Sequence, residues 1–454
     1  MKLLPIILLF SISMLVSCSS PISRNLSSDD ATDMEYVNLC DQHGACKKFS
    51  RLIMGTDHLV QGNWTGAGQP EISEDEAGRV LDEAAKLGIN LFDTSPIYVG
   101  GVEYKLGRWI KSRAQIIKDD SFYYHRNLNP DRELYALSKG GFPFDLFYSK
   151  KLERGTHSPE LLSALRKNQI PISSSNQLQN VPPGTYASRL YGSEEQITER
   201  VAEEMGHTLQ NLNGQITIYL MHRDDGDYLR FSEVKRQKTP VKNIMQALSS
   251  EKISSKIGFL GWSNWQTGRV NESIQAAEQD SSLTKPLLNS PYFSLFEMTG
   301  QTIHAGGVQV THKEMMDPNF QKGIKIMPYS PLGGFSILDK PEPKWDNAMK
   351  AAKEKYDQGD AYWQNVFHAI FTPANKARFE RVVQFTTAFN REHDTHFTID
   401  QMMNAYVLAH KRTNFLAVGP ITADQLRRTV ASLKLARMLT ENDLEYLYSG
   451  NPAP

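Results

Sequence analysis

SEDEAGRVLDEAAKLGINLFD, residues 73–93, contains one complete helix-to-strand unit. Ser73 and Glu76 have the spacing of a capping box, in which each side chain satisfies a backbone N–H at a helix start. Ala77, Val80, Leu81 and Ala84 then recur at the helical period, with Leu87 near the end, and predict one buried face. Gly88 suits the left-handed turn that ends a helix. Ile89-Asn90-Leu91-Phe92 follows as a short apolar strand and delivers Asp93 at its C-terminal end.

The same alternation runs along the chain. Residues 134–138 form a strand ending at Lys139. Ser193-Glu194-Glu195-Gln196 caps a helix with Ile197, Val201 and Met205 on one face. Residues 216–221 form a strand ending at His222, and 257–262 one ending at Ser263 and Asn264. Residues 324–327 lead into Pro328-Tyr329-Ser330-Pro331, and 415–418 end at Gly419 before a helix opening at Thr422. With 52–54 and 286–288 the strands number eight. Strands alternating with helices argue for a parallel α/β architecture. No Gly-x-Gly-x-x-Gly follows any of them, so a Rossmann domain is not indicated. In a (β/α)8 barrel the strand C-termini form one face, where active sites lie. Asp93, Lys139, His222 and Asn264 would then converge despite their distance in sequence.

The chain divides into three parts. Residues 1–17 have a basic start at Lys2 and an apolar run too short to span a bilayer, which is the pattern of a secretory signal peptide. Its Leu15-Val16-Ser17-Cys18 ending resembles the bacterial lipobox, so Cys18 is the expected lipidation site and the cell envelope the expected location. Residues 18–34 are rich in Ser, Asp and Asn and read as a tether with too little apolar surface to fold. Residues 35–454 form the body. Lys and Arg number 50 against 51 Asp and Glu, with no basic stripe, so nothing points to nucleic acid as a partner. The two other cysteines, Cys40 and Cys46, flank a turn-like segment of an N-terminal β-hairpin. A cross-hairpin disulfide is expected there, and no second ligand pair suggests a metal. No feature of the sequence sets an oligomeric state.

Six segments, in order, resemble the aldo-keto reductase family. Residues 88–98, GINLFDTSPIY, are similar to the segment carrying its catalytic Asp and Tyr, here Asp93 and Tyr98. Ser138-Lys139-Gly140-Gly141 is similar to the catalytic Lys strand, and residues 219–224 to the strand ending in the catalytic His, here His222. Residues 261–265, 329–334 and 419–426 are similar to its cofactor-contacting segments.

The resemblance implies a (β/α)8 barrel that reduces aldehydes or ketones with a nicotinamide cofactor, NADP(H) favoured and NAD(H) the alternative. Tyr98 would protonate the carbonyl oxygen. An unperturbed phenol is a weak acid near neutrality, and a cationic Lys139, held by Asp93, would favour its ionised form. His222 would orient the substrate carbonyl. Ser263, Asn264 and Ser290 would meet the nicotinamide carboxamide, and Tyr329 would stack on its ring. Ser330 and Leu332 would lie along the pyrophosphate. Gly419, Thr422 and Gln425 would take the adenosine-phosphate end, where a helix start favours anions.

Two positions depart from the family pattern. Ser290 stands where Gln is common. The last motif has Ile421, Thr422 and Gln425, with Arg427 and Arg428 one turn later, where a basic residue often meets the 2′-phosphate. Residues 114–132, 142–191 and 345–367 exceed ordinary loop lengths and are expected as insertions. A rival reading is a barrel retired from catalysis, serving as an envelope binding or structural lipoprotein. The joint retention of Asp93, Tyr98, Lys139 and His222 favours the enzyme.

Overall fold

A computed structural model describes residues 34–59, 73–96, 98, 101–119, 122, 129–141, 193–224, 239–299, 307–333, 338, 340–359 and 361–451. The leader, the tether to residue 33, Cys18 and the 142–191 insertion lie outside the described residues.

The chain opens with the hairpin β1 (Tyr36–Cys40) and β2 (Cys46–Ser50), paired antiparallel. Asp41 organises its turn, its carboxylate accepting from the N–H groups of His43 and Ala45, while Gly44 takes the left-handed φ of 85°. Cys40 and Cys46 face each other across the last paired position and are joined by a disulfide.

Eight parallel strands follow: β3 (Leu52–Gly55), β4 (Leu91–Asp93), β5 (Tyr135–Gly140), β6 (Ile218–Met221), β7 (Phe259–Ser263), β8 (Pro286–Ser290), β9 (Lys325–Ile326) and β10 (Leu416–Val418). They pair in the order β10-β3-β4-β5-β6-β7-β8-β9. The ends meet through parallel bridges Ile326–Thr413 and Tyr329–Ala417, with Ala417 N–H donating to Pro328 O at 2.9 Å. The fold is the (β/α)8 barrel that the family resemblance implies, built on the parallel α/β alternation read from the sequence.

Side chains alternate about the barrel wall, as period-two strands require. Leu91, Tyr135, Leu137, Ile218 and Leu220 fill the inside with Phe49 and Leu39 of the hairpin. Phe49 meets Tyr135 and Phe259 edge-on at 5.1 and 5.9 Å, so the hairpin seals the bottom of the barrel. Asn90 fixes it there, accepting from Ser50 N–H and donating to Lys48 O. Phe92, Ala136, Tyr219 and Leu260 instead join the outer shell under the helices.

Those helices are α1 (Glu74–Lys86), α2 (Val102–Lys118), α3 (Glu194–Asn211), α4 (Val241–Ser249), α5 (Glu251–Ser254), α6 (Thr267–Gln279), α7 (His312–Met316), α8 (Trp345–Asp357), α9 (Ala361–Ile370), α10 (Pro373–His393), α11 (Ile399–Ala409), α12 (Ala423–Ala436) and α13 (Glu441–Ser449). The capping boxes at Ser73 and Ser193 form, and Gly88 ends α1 with φ 91°.

Two expected insertions are partly helical. Residues 114–118 complete α2, and 345–367 build α8 and most of α9. Trp345, Ala348 and Ala352 recur at i, i+3 and i+7 and are buried, with Trp345 packed on Phe296, Phe371 and Phe379. The surrounding Lys, Glu and Asp residues mask that period in the sequence.

Candidate active site

Asp93, Lys139 and His222 stand at or just beyond the C-terminal ends of β4, β5 and β6, and all three are buried. Strand register sets their heights. Lys139 lies opposite Leu220, and His222 N–H donates to Gly140 O at 2.7 Å. Tyr98 comes from the β4–α2 connection, where its N–H donates to Ser95 O at 3.0 Å.

The four side chains meet. Lys139 Nζ forms an ion pair with Asp93 Oδ1 and donates to Tyr98 Oη at 2.8 Å and to Thr94 O at 3.2 Å. The Tyr98 and His222 rings are edge-on with centroids 6.3 Å apart. Ser95 Oγ lies 3.4 Å from His222 Nδ1. The Asp93 carbonyl is held by both the N–H and the hydroxyl of Thr56, at 3.0 and 2.8 Å.

Burial and charge oppose each other in the ion pair. Burial pushes the Lys139 ammonium below its ordinary range, opposed by the Asp93 carboxylate. Burial pushes Asp93 up, opposed by Lys139. Asp57 raises both groups, and the Arg223 guanidinium lowers Lys139 further. Thr56, Asp57 and Arg223 are site residues that the sequence reading did not select. Thr56 and Asp57 are the first two residues beyond β3 and Arg223 follows His222, so the rule that polar residues beyond strand ends face the mouth could have found them.

A second group surrounds β7 to β9. Ser263 Oγ and Asn264 N–H both donate to Ser290 O, at 3.3 and 3.0 Å. Asn264 Nδ2 donates to Ser263 Oγ at 3.0 Å, and Tyr329 Oη donates to Asn264 Oδ1 at 2.7 Å. Burial pushes the Tyr329 phenol up to about 12, so it stays a neutral donor. Asn264 and Ser330 hold left-handed backbone, φ 57° and 58°. Such strain clusters where a site over-determines its geometry. Gly333 N–H returns to Ser330 O and closes a turn around Leu332.

At the end of β10, Gly419 lies against His58. Thr422 caps α12 and Gln425 completes the box. The Gln425 side-chain oxygen Oε1 accepts from the N–H groups of Ile421 and Thr422, so part of the anion-binding capacity expected of this helix start is already used. Arg428 is paired with buried Asp400. Arg427 reaches Glu83 and Asp424 from an exposed position.

This donor set fits a nicotinamide. Ser263, Asn264 and Ser290 are neutral and buried, suited to an uncharged carboxamide. Buried Thr94 Oγ1, beside Lys139, has no hydrogen-bond partner among the described residues.

One mouth of the parallel barrel thus gathers an ion pair, a phenol and an imidazole. The model of the aldo/keto reductase family matches residues 51–122 and 187–449, and the chain belongs to that family. It is thus an oxidoreductase of carbonyl compounds, from a family that generally uses NADP(H) or NAD(H). A comparison with curated proteins gives no match. Among the described residues no helix is long and apolar enough to cross a membrane.

Proposed function

We propose that the protein reduces aldehyde or ketone carbonyls to alcohols with NADPH, with Tyr98 as the proton donor. The observation that carries this reading is the 2.8 Å contact from Lys139 Nζ to Tyr98 Oη, made while Lys139 is paired with Asp93. The bound cofactor supplies the hydride. As negative charge gathers on the carbonyl oxygen, Tyr98 donates its proton, and the adjacent ammonium stabilises the phenolate left behind. Asp93 keeps that ammonium charged in a buried site. Ser95 Oγ lies against Nδ1 of His222, and the His222 ring would orient the carbonyl. Ser263, Asn264, Ser290 and Tyr329 would hold the nicotinamide end, and Ser330 and Leu332 the pyrophosphate. Gly419, Thr422 and Gln425 would hold the adenosine end.

NADPH is preferred over NADH in this reading because Arg427 is exposed. Its surface pair with Asp424 is worth little, so a 2′-phosphate can displace that carboxylate while Glu83 continues to hold the guanidinium through Nε. On its sequence alone, we further propose that Cys18 carries the lipid that anchors the enzyme in the cell envelope. Fractionation with Cys18→Ala tests this, and an unchanged membrane fraction overturns it.

The main test titrates the purified body with NADPH and NADH by fluorescence quenching, beside Tyr98→Phe, and then assays an aldehyde panel. The reading predicts binding in both forms and turnover only with Tyr98. No binding of either nucleotide to folded protein overturns it in favour of a non-catalytic envelope protein.

A further inference from the structure

Behind Lys139, on the helix side of the barrel wall, lies a pair of buried carboxylates that the proposed chemistry does not use. Glu103 opens α2 and Glu204 lies in α3, and they are 2% and 3% exposed. Glu103 Oε1 accepts from Ser138 Oγ at 2.5 Å, and its Oε2 from Asn211 Nδ2 at 2.8 Å. Glu204 Oε2 accepts from Gly141 N–H at 2.7 Å. Ser138 and Gly141 bracket Lys139 and Gly140. The strand also has no slack at Gly140. A Cβ there would fall 1.8 Å from Tyr219 Oη and 2.9 Å from Glu204 Oε2. The two helices are pressed together beside it, since a Cβ on Gly107 would fall 2.0 Å from Asn211 O.

Burying a carboxylate is unfavourable unless its hydrogen bonds are worth keeping. Here they hold the Ser138 hydroxyl on one side and the Gly141 backbone N–H on the other side of the one residue whose ammonium must sit within hydrogen-bond reach of Tyr98. We propose that Glu103 and Glu204 are positioning residues that clamp the end of β5 from behind and set the reach of Lys139 toward Tyr98. The proposal rests on the reductase reading for its kinetic consequence, but the clamp itself is a statement about geometry. A displacement of about 1 Å in a catalytic group is enough to lower turnover on the order of a hundredfold. Each tie acts through the backbone or Ser138, so substrate and cofactor affinity should be spared.

The test compares the wild type with Glu204→Leu, Glu204→Gln and Ser138→Ala. It reads kcat and KM for carbonyl reduction, NADPH affinity, and the NMR signals of the Gly141 amide and the Lys139 side chain. The clamp predicts that Glu204→Leu lowers kcat by about tenfold or more, with KM and NADPH affinity within about twofold. Glu204→Gln, which keeps an acceptor for Gly141, restores most of the rate. Ser138→Ala lowers kcat in the same sense and covers the case in which Glu204→Leu does not fold. The Gly141 and Lys139 signals should move in the variants that lose rate. Folded variants with unchanged kcat and unchanged Lys139 signals overturn the proposal. A wild type that reduces no carbonyl compound would sink the reductase reading instead. The Lys139 signals then decide the clamp alone, and their failure to respond to Glu204→Leu or Ser138→Ala refutes it.

Discussion

Replacing Glu103 by Gln should stabilise the protein at alkaline pH and not at acid pH. Burial pushes the Glu103 carboxyl from 4.5 up to about 7, against the opposing hydrogen bonds of Asn211 and Ser138, and the Glu204 carboxylate raises it further. Its place in the first turn of α2 would by itself favour the anion, by about 0.3–1 kcal/mol, so desolvation is the larger effect. The folded protein holds this proton more tightly than the unfolded chain. The stability linked to it is therefore present below pH 4.5 and is lost as pH rises to about 7. A rise of that size corresponds to roughly 3 kcal/mol. Gln cannot ionise, but its amide nitrogen cannot accept a hydrogen bond, which gives back about 1 kcal/mol. Urea unfolding of Glu103→Gln and wild type at pH 5 and pH 8, at constant ionic strength, measures the difference. The variant should gain about 2–3 kcal/mol on the wild type between the two conditions. A difference constant to within about 0.5 kcal/mol would refute the claim that a buried, ionisable Glu103 sits behind Lys139.

Three further outcomes follow from the site and its surroundings. Lys139→Met should lower turnover by about a hundredfold or more while NADPH still binds by fluorescence titration. It should also destabilise the fold by about 3–5 kcal/mol through the buried Asp93 charge, and adding Asp93→Asn should recover stability but not rate. Arg427→Ala should weaken NADPH binding by about tenfold or more and leave NADH unchanged; equal loss for both would remove Arg427 from the 2′-phosphate site. His410 is held down to about 3, first by burial and then by His312, with its Nδ1 on the Tyr406 carbonyl at 2.7 Å. Stability should therefore fall as pH drops below the ordinary imidazole range, by about 2 kcal/mol at pH 5, and denaturation of His410→Gln should lack that slope.

The barrel was legible because its signals are local. Ser73 and Glu76, or Ser193 and Gln196, announce a helix start within four residues, and an apolar run after each helix announces a strand. Asp93, Lys139 and His222 were legible for the same reason, each standing at the end of such a run. The edges were less so. The sequence reading starts a strand at Ile216, whereas the regular strand β6 begins at Ile218, with Ile216 and Thr217 making only its leading backbone bonds to Gly258, Phe259 and Ala136. Helix α8 was missed because alanines carry two of its three buried positions, and alanine weighs little in a hydrophobic pattern.

The residues behind Lys139 pose a different problem, and α3 shows that it was partly soluble. Ile197, Val201, Glu204 and Thr208 fall at i, i+4, i+7 and i+11 on one stripe, and all four are buried. A glutamate in an apolar stripe is a local anomaly, visible without a structure. Glu103 repeats it, set between Val102 and Leu106 on the buried side of α2. What no local pattern could supply is the partner. Ser138 lies 35 residues from Glu103 in the chain, and Asn211 lies 108 away. Their meeting depends on the barrel bringing α2, β5 and α3 into adjacent layers. A charge misplaced in a helical stripe thus marks where a nonlocal contact must exist, because an unsatisfied buried carboxylate would not persist. Here the contact is to the strand that bears Lys139, and it is this placement, rather than burial itself, that ties the two glutamates to the chemistry.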